Sequence, residues 1–453
     1  MKGREMAFLK GKFIYLLPFA VVVVIILVVV FVPFQDDRSE FFDDRYSMTN
    51  GDELIEIDSG LGDEYYEIND EQLEFVEYIT IGEREISTST FVLTLMDDEV
   101  TEENLHALRH MVNLQRLTLF NNFDSWEVDL SPVVNIQTLR GFELRGFEAT
   151  DISVLSELTD LEDLLLDDTT IEDLSILHEF PSLTSLSIRQ IPIDDITPLS
   201  KLLNLTTLNL SSNQISDITP LSTLTGLEQL SMSWNQVKDI TPLRELTSLR
   251  RLTLRDGQVN DISALGDLVS LEYLDLRDNH ISDITALGTL TGLRGLILGD
   301  NHITDITTVS ELVGLRNLDL QNNNISYIVP MSGLSNLRNL DLSNNQISDI
   351  TLLSELVDLD LRSLLLSNNH ISDITPLSEL TSLTGLWLSD NHISDIASLN
   401  ELVNLEFIYF ANNQISDISI LAEFSELTWV DTRGNLVTDW SPVNHVENVH
   451  GRP

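Results

Sequence analysis

The chain has 453 residues, with 25 Lys plus Arg against 73 Asp plus Glu, a net charge of −48 and no cysteine. So acidic a surface disfavours nucleic acid and an anionic membrane face, which both attract basic surfaces, and the missing thiols exclude a disulfide framework or a thiolate metal centre. Hydrophobic residues make up 42% of the chain, enough for a real core, so this is not an acidic disordered polypeptide.

The first element is the stretch FIYLLPFAVVVVIILVVVFVPF, residues 13–34, which carries no charge. As a helix it would reach about 33 Å, enough for a hydrocarbon core of about 30 Å. Lys2, Arg4, Lys10 and Lys12 precede it, and residues 35–78 follow with 16 acids and two Arg. That asymmetry predicts a cytoplasmic basic tail at 1–12, a transmembrane signal-anchor helix at 13–34, and the rest of the chain outside the cytoplasm. Pro18 can kink such a helix without preventing a span. The alternative is a cleaved signal peptide and a secreted protein, but the apolar run is long for one and no small-x-small site ends it. Residues 35–70 are dense in acid and lack apolar periodicity, which reads as a solvated stalk, with Phe41, Phe42, Tyr65 and Tyr66 as scattered linker aromatics.

Residues 71–113 read as an N-terminal cap. Phe91, Leu93 and Leu95 alternate as in a strand. Thr101 is placed to cap a helix running to about Met111, with Leu105, Leu108 and Met111 facing inward. Glu102 and Glu103 suit its start and Arg109 and His110 its end.

From 114 to 443 the chain repeats itself. Aligned on the Asn of "SSNQISDI", equivalent positions fall at 122, 147, 169, 191, 213, 235, 257, 279, 301, 323, 345, 369, 391, 413 and 435; 12 of the 14 intervals are 22 residues, which chance does not sustain. The unit is L-x-x-L-x-L-x-x-N-x-I-x-D-I-x-P-L-x-x-L-x-x. In the rung around Asn213, Leu208 and Leu210 alternate with Thr207, Asn209 and Ser211, a short strand with one buried side. Leu205, Ile215, Ile218, Leu221 and Leu224 recur at matching offsets. One rung cannot bury them alone; rungs stacked about 4.8 Å apart form a continuous core about 70 Å long.

Asn occupies 11 of the 15 aligned positions. An Asn amide there can donate to one rung and accept from the next, satisfying backbone groups where the strand turns. Phe147, Thr169, Ile191 and Gly257 interrupt the column, so the ladder is expected to break in the early rungs. Four residues later comes Asp: 151, 173, 195, 217, 239, 261, 283, 305, 349, 373, 395, 417 and 439, with Tyr327 in its place in one rung. Asp before I-x-P-L reads as a cap on a short turn whose first residues accommodate Pro. A row of calcium ligands is the alternative, although calcium sites usually gather several oxygens around a tight Gly turn.

Period, Leu spacing, Asn and DI-x-P-L together make this region, about Leu114 to Val449, resemble the internalin-type leucine-rich repeats of bacterial surfaces. The resemblance implies an α/β solenoid, a curved leucine-rich repeat stack with a concave parallel β-sheet, convex 3-10 turns and a helical N-terminal cap; the front segment is similar to the helical cap of some internalin-like clostridial repeat proteins. Val437, Trp440, Val443, Val446 and Val449 keep the core offsets, so residues 444–453 read as a closing rung, with Trp440 as a lid. Two features of the family pattern are missing, an immunoglobulin-like domain after the repeats and a C-terminal sorting motif. Attachment is therefore expected through 13–34, which weakens any inference of host-receptor binding.

No catalytic residue, metal site or cofactor is expected. The sequence has no P-loop, G-x-S-x-G or dinucleotide fingerprint, and His106 and His110 in HALRH lack the metalloprotease Glu. His280, His302, His370 and His392, each just after the ladder Asn and beside Asp278, Asp300 and Asp390, read as a polar turn position that elsewhere holds Gln; a surface metal bridging the adjacent pairs is the alternative. The variable strand residues point to partner-binding sites instead. Arg251, Arg255 and Arg277 with Tyr273 form one cluster, which Asp256, Asp275 and Asp278 could simply neutralise. Trp387, Phe407, Tyr409 and Trp429, from three successive rungs, form a second on the exposed side of the sheet, where aromatics commonly anchor a partner; contact with the C-terminal cap or simple strand propensity is the alternative. The expectation is a membrane-anchored protein whose concave face binds an unidentified protein. Its alternatives are a structural spacer or envelope-assembly element and a calcium- or glycan-binding module.

Overall fold

In the computed structural model, residues 78–81, 84–87, 90–121, 126–148, 151–171 and 174–452 are described. The tail, the apolar segment 13–34, the stalk at 35–70, Asn122 and Asp173 lie outside the described residues. Among the described residues no helix is long and apolar enough to cross a membrane.

Leucine periodicity becomes a single sheet of 17 strands, running from Val92–Met96 to Asn448–His450. Neighbours are parallel and in direct register: Leu208 lies opposite Leu186 on one side and Leu230 on the other. The sheet is open, because Val92–Met96 pairs with Arg116–Phe120 and Asn448–His450 with Trp429–Asp431, not with each other. Behind it the chain returns through short 3-10 turns such as Thr219–Thr223 and Thr285–Thr289. Leu205, Leu208, Leu210, Ile215, Ile218, Leu221 and Leu224 are at most 1% exposed, so the inward offsets read from the repeat are the core. The architecture is a leucine-rich repeat solenoid.

The Asn ladder forms from Asn213 onward. Asn213 Nδ2 donates to the carbonyls of Ile188 and Leu210, and its Oδ1 accepts from the Ile191 amide. The same set recurs at Asn301, which serves Leu276, Leu298 and the Ile281 amide. Both cross-rung bonds therefore run to the preceding rung, rather than one to each neighbour. Where the column is interrupted, Phe147 and Ile191 fill the place with buried carbon, and the buried Thr169 hydroxyl has no partner. At Gly257 an added Cβ would lie 2.8 Å from Asn279 Oδ1.

The residue just before the ladder position turns the chain through the left-handed region, with φ from 48° to 60° at Asp168, Gln190, Ser212, Trp234, Asp256, Asp278, Asp300, Asn322, Asn344, Asn368, Asp390 and Asn412. Asp and Asn dominate because their short polar side chains tolerate that conformation. Trp234 is the bulky exception.

The Asp column caps, one step earlier than expected. Asp217 Oδ1 accepts from the Thr219 amide at 2.8 Å and Asp283 Oδ1 from the Thr285 amide at 2.9 Å, so Asp stands two residues before the first 3-10 residue and Ile occupies the N-cap. These bonds hold the carboxyls below the usual range; in Asp217 the Thr219 bonds outrank the opposing charges of Asp195 and Asp239. Where Tyr327 replaces Asp, its hydroxyl donates to Asp305 of the preceding rung at 2.8 Å.

The front is closed by the helix Glu102–Ala107 and the 3-10 turn Leu108–His110. Thr101 Oγ1 accepts from the Asn104 amide, and Leu105, Leu108 and Met111 are buried. Phe91, expected in the strand, precedes it and is 57% exposed. At the back Val443 and Val446 are buried, and Val437, Trp440 and Val449 pack against the core at its edge.

Candidate functional site

Alternation puts the first and third residues of each three-residue strand on the outer, concave face. Because the register never slips, those positions form columns in which each residue meets its equivalent one rung away. Two segments of these columns carry large or charged groups.

The first is the arginine cluster. The Arg251 guanidinium lies 4.4 Å from the centre of the Tyr273 ring and that of Arg255 5.6 Å from the Trp234 ring. Arg277 reaches Asp275 and Asp319, both at 3.9 Å, and Arg255 Nε lies 4.0 Å from Asp275. The rung Gly295–Leu296–Ile297–Leu298–Gly299 lies between Arg277 and Asp319. An added Cβ on Gly295 would meet the Tyr273 ring at 2.8 Å, so that ring lies where a larger residue would stand; one on Gly299 would meet Gln321 Cγ at 3.0 Å, with Arg277 Cγ in ordinary contact at 3.5 Å. Of the three acids expected to neutralise the cluster, Asp275 lies against Arg255 and Arg277, and Asp278 feels the charge of both; Asp319, two rungs away, was not anticipated. Its neighbour Asp341 is also buried, and the two are paired in register. Burial raises the carboxyls of Asp275, Asp319 and Asp341. In Asp341, which accepts from the Ser343 amide at 2.8 Å, burial and the Asp319 charge outweigh that bond and the pKa is pushed up to about 6.

The second is the aromatic cluster. Trp387 and Tyr409 stack with centroids 5.4 Å apart and planes 9° from parallel; Tyr409 and Trp429 follow at 6.2 Å and 33°. His450, from the closing rung, extends the column at 4.5 Å from Trp429. Trp387 lies over Gly385, where an added Cβ would be 2.5 Å from the indole. Phe407 flanks the column and is 38% exposed. Trp429 Nε1 is buried without an acceptor. Burial, then the Asp431 charge, raises the Tyr409 hydroxyl. The sequence reading placed the four aromatics together and missed His450, which shares the register of Trp387 and Tyr409, while Trp429 stands in the column of Phe407 and touches Tyr409 and His450 diagonally.

Neither cluster joins a nucleophile to a base. The arrangement offers planar apolar surface and fixed charge.

The family model for leucine-rich repeats in paired copies matches residues 203–245, 247–289, 269–311, 313–355 and 360–401. An internalin of Listeria monocytogenes, InlF, is 32% identical over 73% of this chain and 91% of its own, with a TM-score of 0.58. A leucine-rich repeat protein of Leptospira interrogans is 23% identical, covering 76% of this chain and 91% of its own at a TM-score of 0.69. The plant peptide hormone receptor RGFR1, solved in complex with RGF2, is 19% identical, covering 80% of this chain and 62% of its own at a TM-score of 0.62. The last two show the fold alone. No match is found among curated proteins. Repeats of this kind are typically protein-interaction scaffolds rather than enzymes. On its repeat, its ladder and its likeness to InlF, the chain belongs to the internalin-type leucine-rich repeat proteins.

Proposed function

We propose that the concave face binds a protein partner, with Trp387, Tyr409, Trp429 and His450 as the anchor and Phe407 beside it. The observation that carries this is the continuity of the column: four rings from four successive rungs touch one another on a face otherwise lined mainly by small and polar residues. Preorganised aromatics lose little freedom on binding and are favoured anchors. Arg251, Tyr273, Arg255 and Arg277 form a second contact region whose charges are already arranged by Asp275 and Asp319.

The test is capture from envelope and medium by the full chain and by a Trp387→Ala/Tyr409→Ala variant. A partner retained by the native chain and lost by the variant, with the melt nearly unchanged, supports the reading. Equal retention contradicts it. A collapsed melt would show that the rings act as core.

The proposal includes the setting. The apolar segment 13–34 anchors the chain in a membrane with the repeats outside the cytoplasm, on the grounds of its length and the charge asymmetry around it. Protease added to intact cells should remove the repeats; full protection would sink this placement.

A further inference from the structure

The column immediately after the ladder Asn holds Gln214, Gln236, Gln258, His280, His302, Asn324, Gln346, His370, His392 and Gln414. Histidine occurs there only as adjacent pairs. We propose that His280 with His302, and His370 with His392, are two chelating sites for a divalent transition-metal ion of the zinc, nickel and copper class.

The spacing of each stacked pair is close to that of a chelate. The rings of His280 and His302 have centroids 5.7 Å apart and planes 6° from parallel; for His370 and His392 the values are 6.0 Å and 11°. Two imidazoles bound to one tetrahedral ion through bonds of about 2.0–2.1 Å place their ring centres about 5 Å apart. In the stacked arrangement the two ring planes face each other, so each exposed side chain must turn about its χ1 and χ2 bonds to bring one nitrogen toward the ion. The backbone need not move. Each pair is fixed one rung apart by the ladder Asn beside it and by the amides of His280, His302, His370 and His392, which donate to Val259, Ile281, Ile347 and Ile371 at 2.8 to 2.9 Å.

All four histidines are exposed, and among the described residues no group makes a hydrogen bond or ion pair with any of the four rings, so no competing partner must be displaced. The neighbouring left-handed turn residues Asp278, Asp300 and Asp390, and the −48 charge of the chain, concentrate cations at this edge. Neutral imidazole selects zinc, nickel or copper over calcium or magnesium, which take oxygen ligands. With two protein donors per site, water completes each sphere. A bound ion ties one rung to the next at the turn, a cross-link that this cysteine-free chain cannot make with thiols.

The experiment is titration of the full chain with nickel, followed by calorimetry and by counting bound metal after gel filtration. Replacement by Gln, the residue this column holds in other rungs, leaves the fold intact, checked by an unchanged metal-free melt. The native chain should bind two more equivalents of nickel than His302→Gln/His392→Gln, and each single variant should lose one. Saturating zinc should raise the melting temperature of the native chain by a few degrees and that of the double variant by less. If a His302 variant misfolds, His280→Gln/His370→Gln makes the same comparison. Equal nickel uptake by native and double-variant chains, or no saturable uptake by either, overturns the proposal. Calcium at equal ionic strength should leave the difference between the chains at zero.

Discussion

Replacing Asp341 by Asn should stabilise the protein above neutral pH, and the gain should vanish on acidification. Asp341 is 5% exposed and pairs in register with Asp319, which is 2% exposed. Its pKa is pushed up to about 6 from an ordinary value of 3.8, first by burial and then, against the Ser343 amide bond, by the Asp319 charge. A folded-state pKa raised above the unfolded one means that ionisation opposes folding. The cost is full above the folded pKa and is relieved as pH falls from about 6 toward 4. Raising the carboxyl from 3.8 to about 6 corresponds to about 3 kcal/mol at most. Asn keeps an oxygen for the Ser343 amide and presents its own N–H₂ toward Asp319, so most of that cost should be recovered, about 1–3 kcal/mol at pH 8. Urea melts of native and Asp341→Asn chains from pH 4.5 to 8 read out this carboxyl together with its coupled neighbour Asp319, since the acids remote from the pair titrate alike in both. A variant that is less stable at pH 8, or a difference that does not change with pH, would refute a buried carboxyl pair at this point of the sheet.

Other expectations are simpler. Leu210→Ala removes a fully buried side chain and should cost about 2–5 kcal/mol in a denaturant melt. Asn301→Ala leaves the Leu276 and Leu298 carbonyls and the Ile281 amide without their side-chain partner and should cost about 2–4 kcal/mol, well above an exposed polar-to-Ala change. Asp283→Asn should be milder than Asp283→Ala by about 1 kcal/mol, because Asn keeps an acceptor for the Thr285 amide. The melting temperature should rise with potassium chloride, which screens repulsion along the Asp column and across the acidic surface. A flat potassium response with a saturable calcium jump would favour metal binding by that column over capping.

Much of this architecture is legible in the chain because each inward residue returns at one fixed offset. Leu208, Ile215 and Asn213 identify themselves by recurrence, and the stack then dictates what each must touch. The direction of the Asn213 bonds was not legible, since a single offset does not say which neighbouring rung is the nearer. The left-handed turn column was missed because Asp, Asn, Ser, Gln and Trp share it; its signal is conformational tolerance, not residue identity. At the candidate site, Trp387 and Tyr409 are adjacent in the repeat and were paired on that ground. Arg277 meeting Asp319 was not, because the contact spans two rungs. His450 escaped notice because it follows the last Asn-aligned rung.

The central claim is that a partner sits on the aromatic column. The direct measurement is site-specific photo-crosslinking in cells that naturally make the protein, with a photoreactive residue at exposed Phe407 on the concave strand and, in a separate chain, at exposed Glu355 in the 3-10 turn of the opposite face. The account predicts a discrete adduct from position 407 that disappears when Trp387 and Tyr409 are also replaced by Ala, and none from position 355. An adduct confined to position 355, or one at 407 that survives loss of the column, would contradict it.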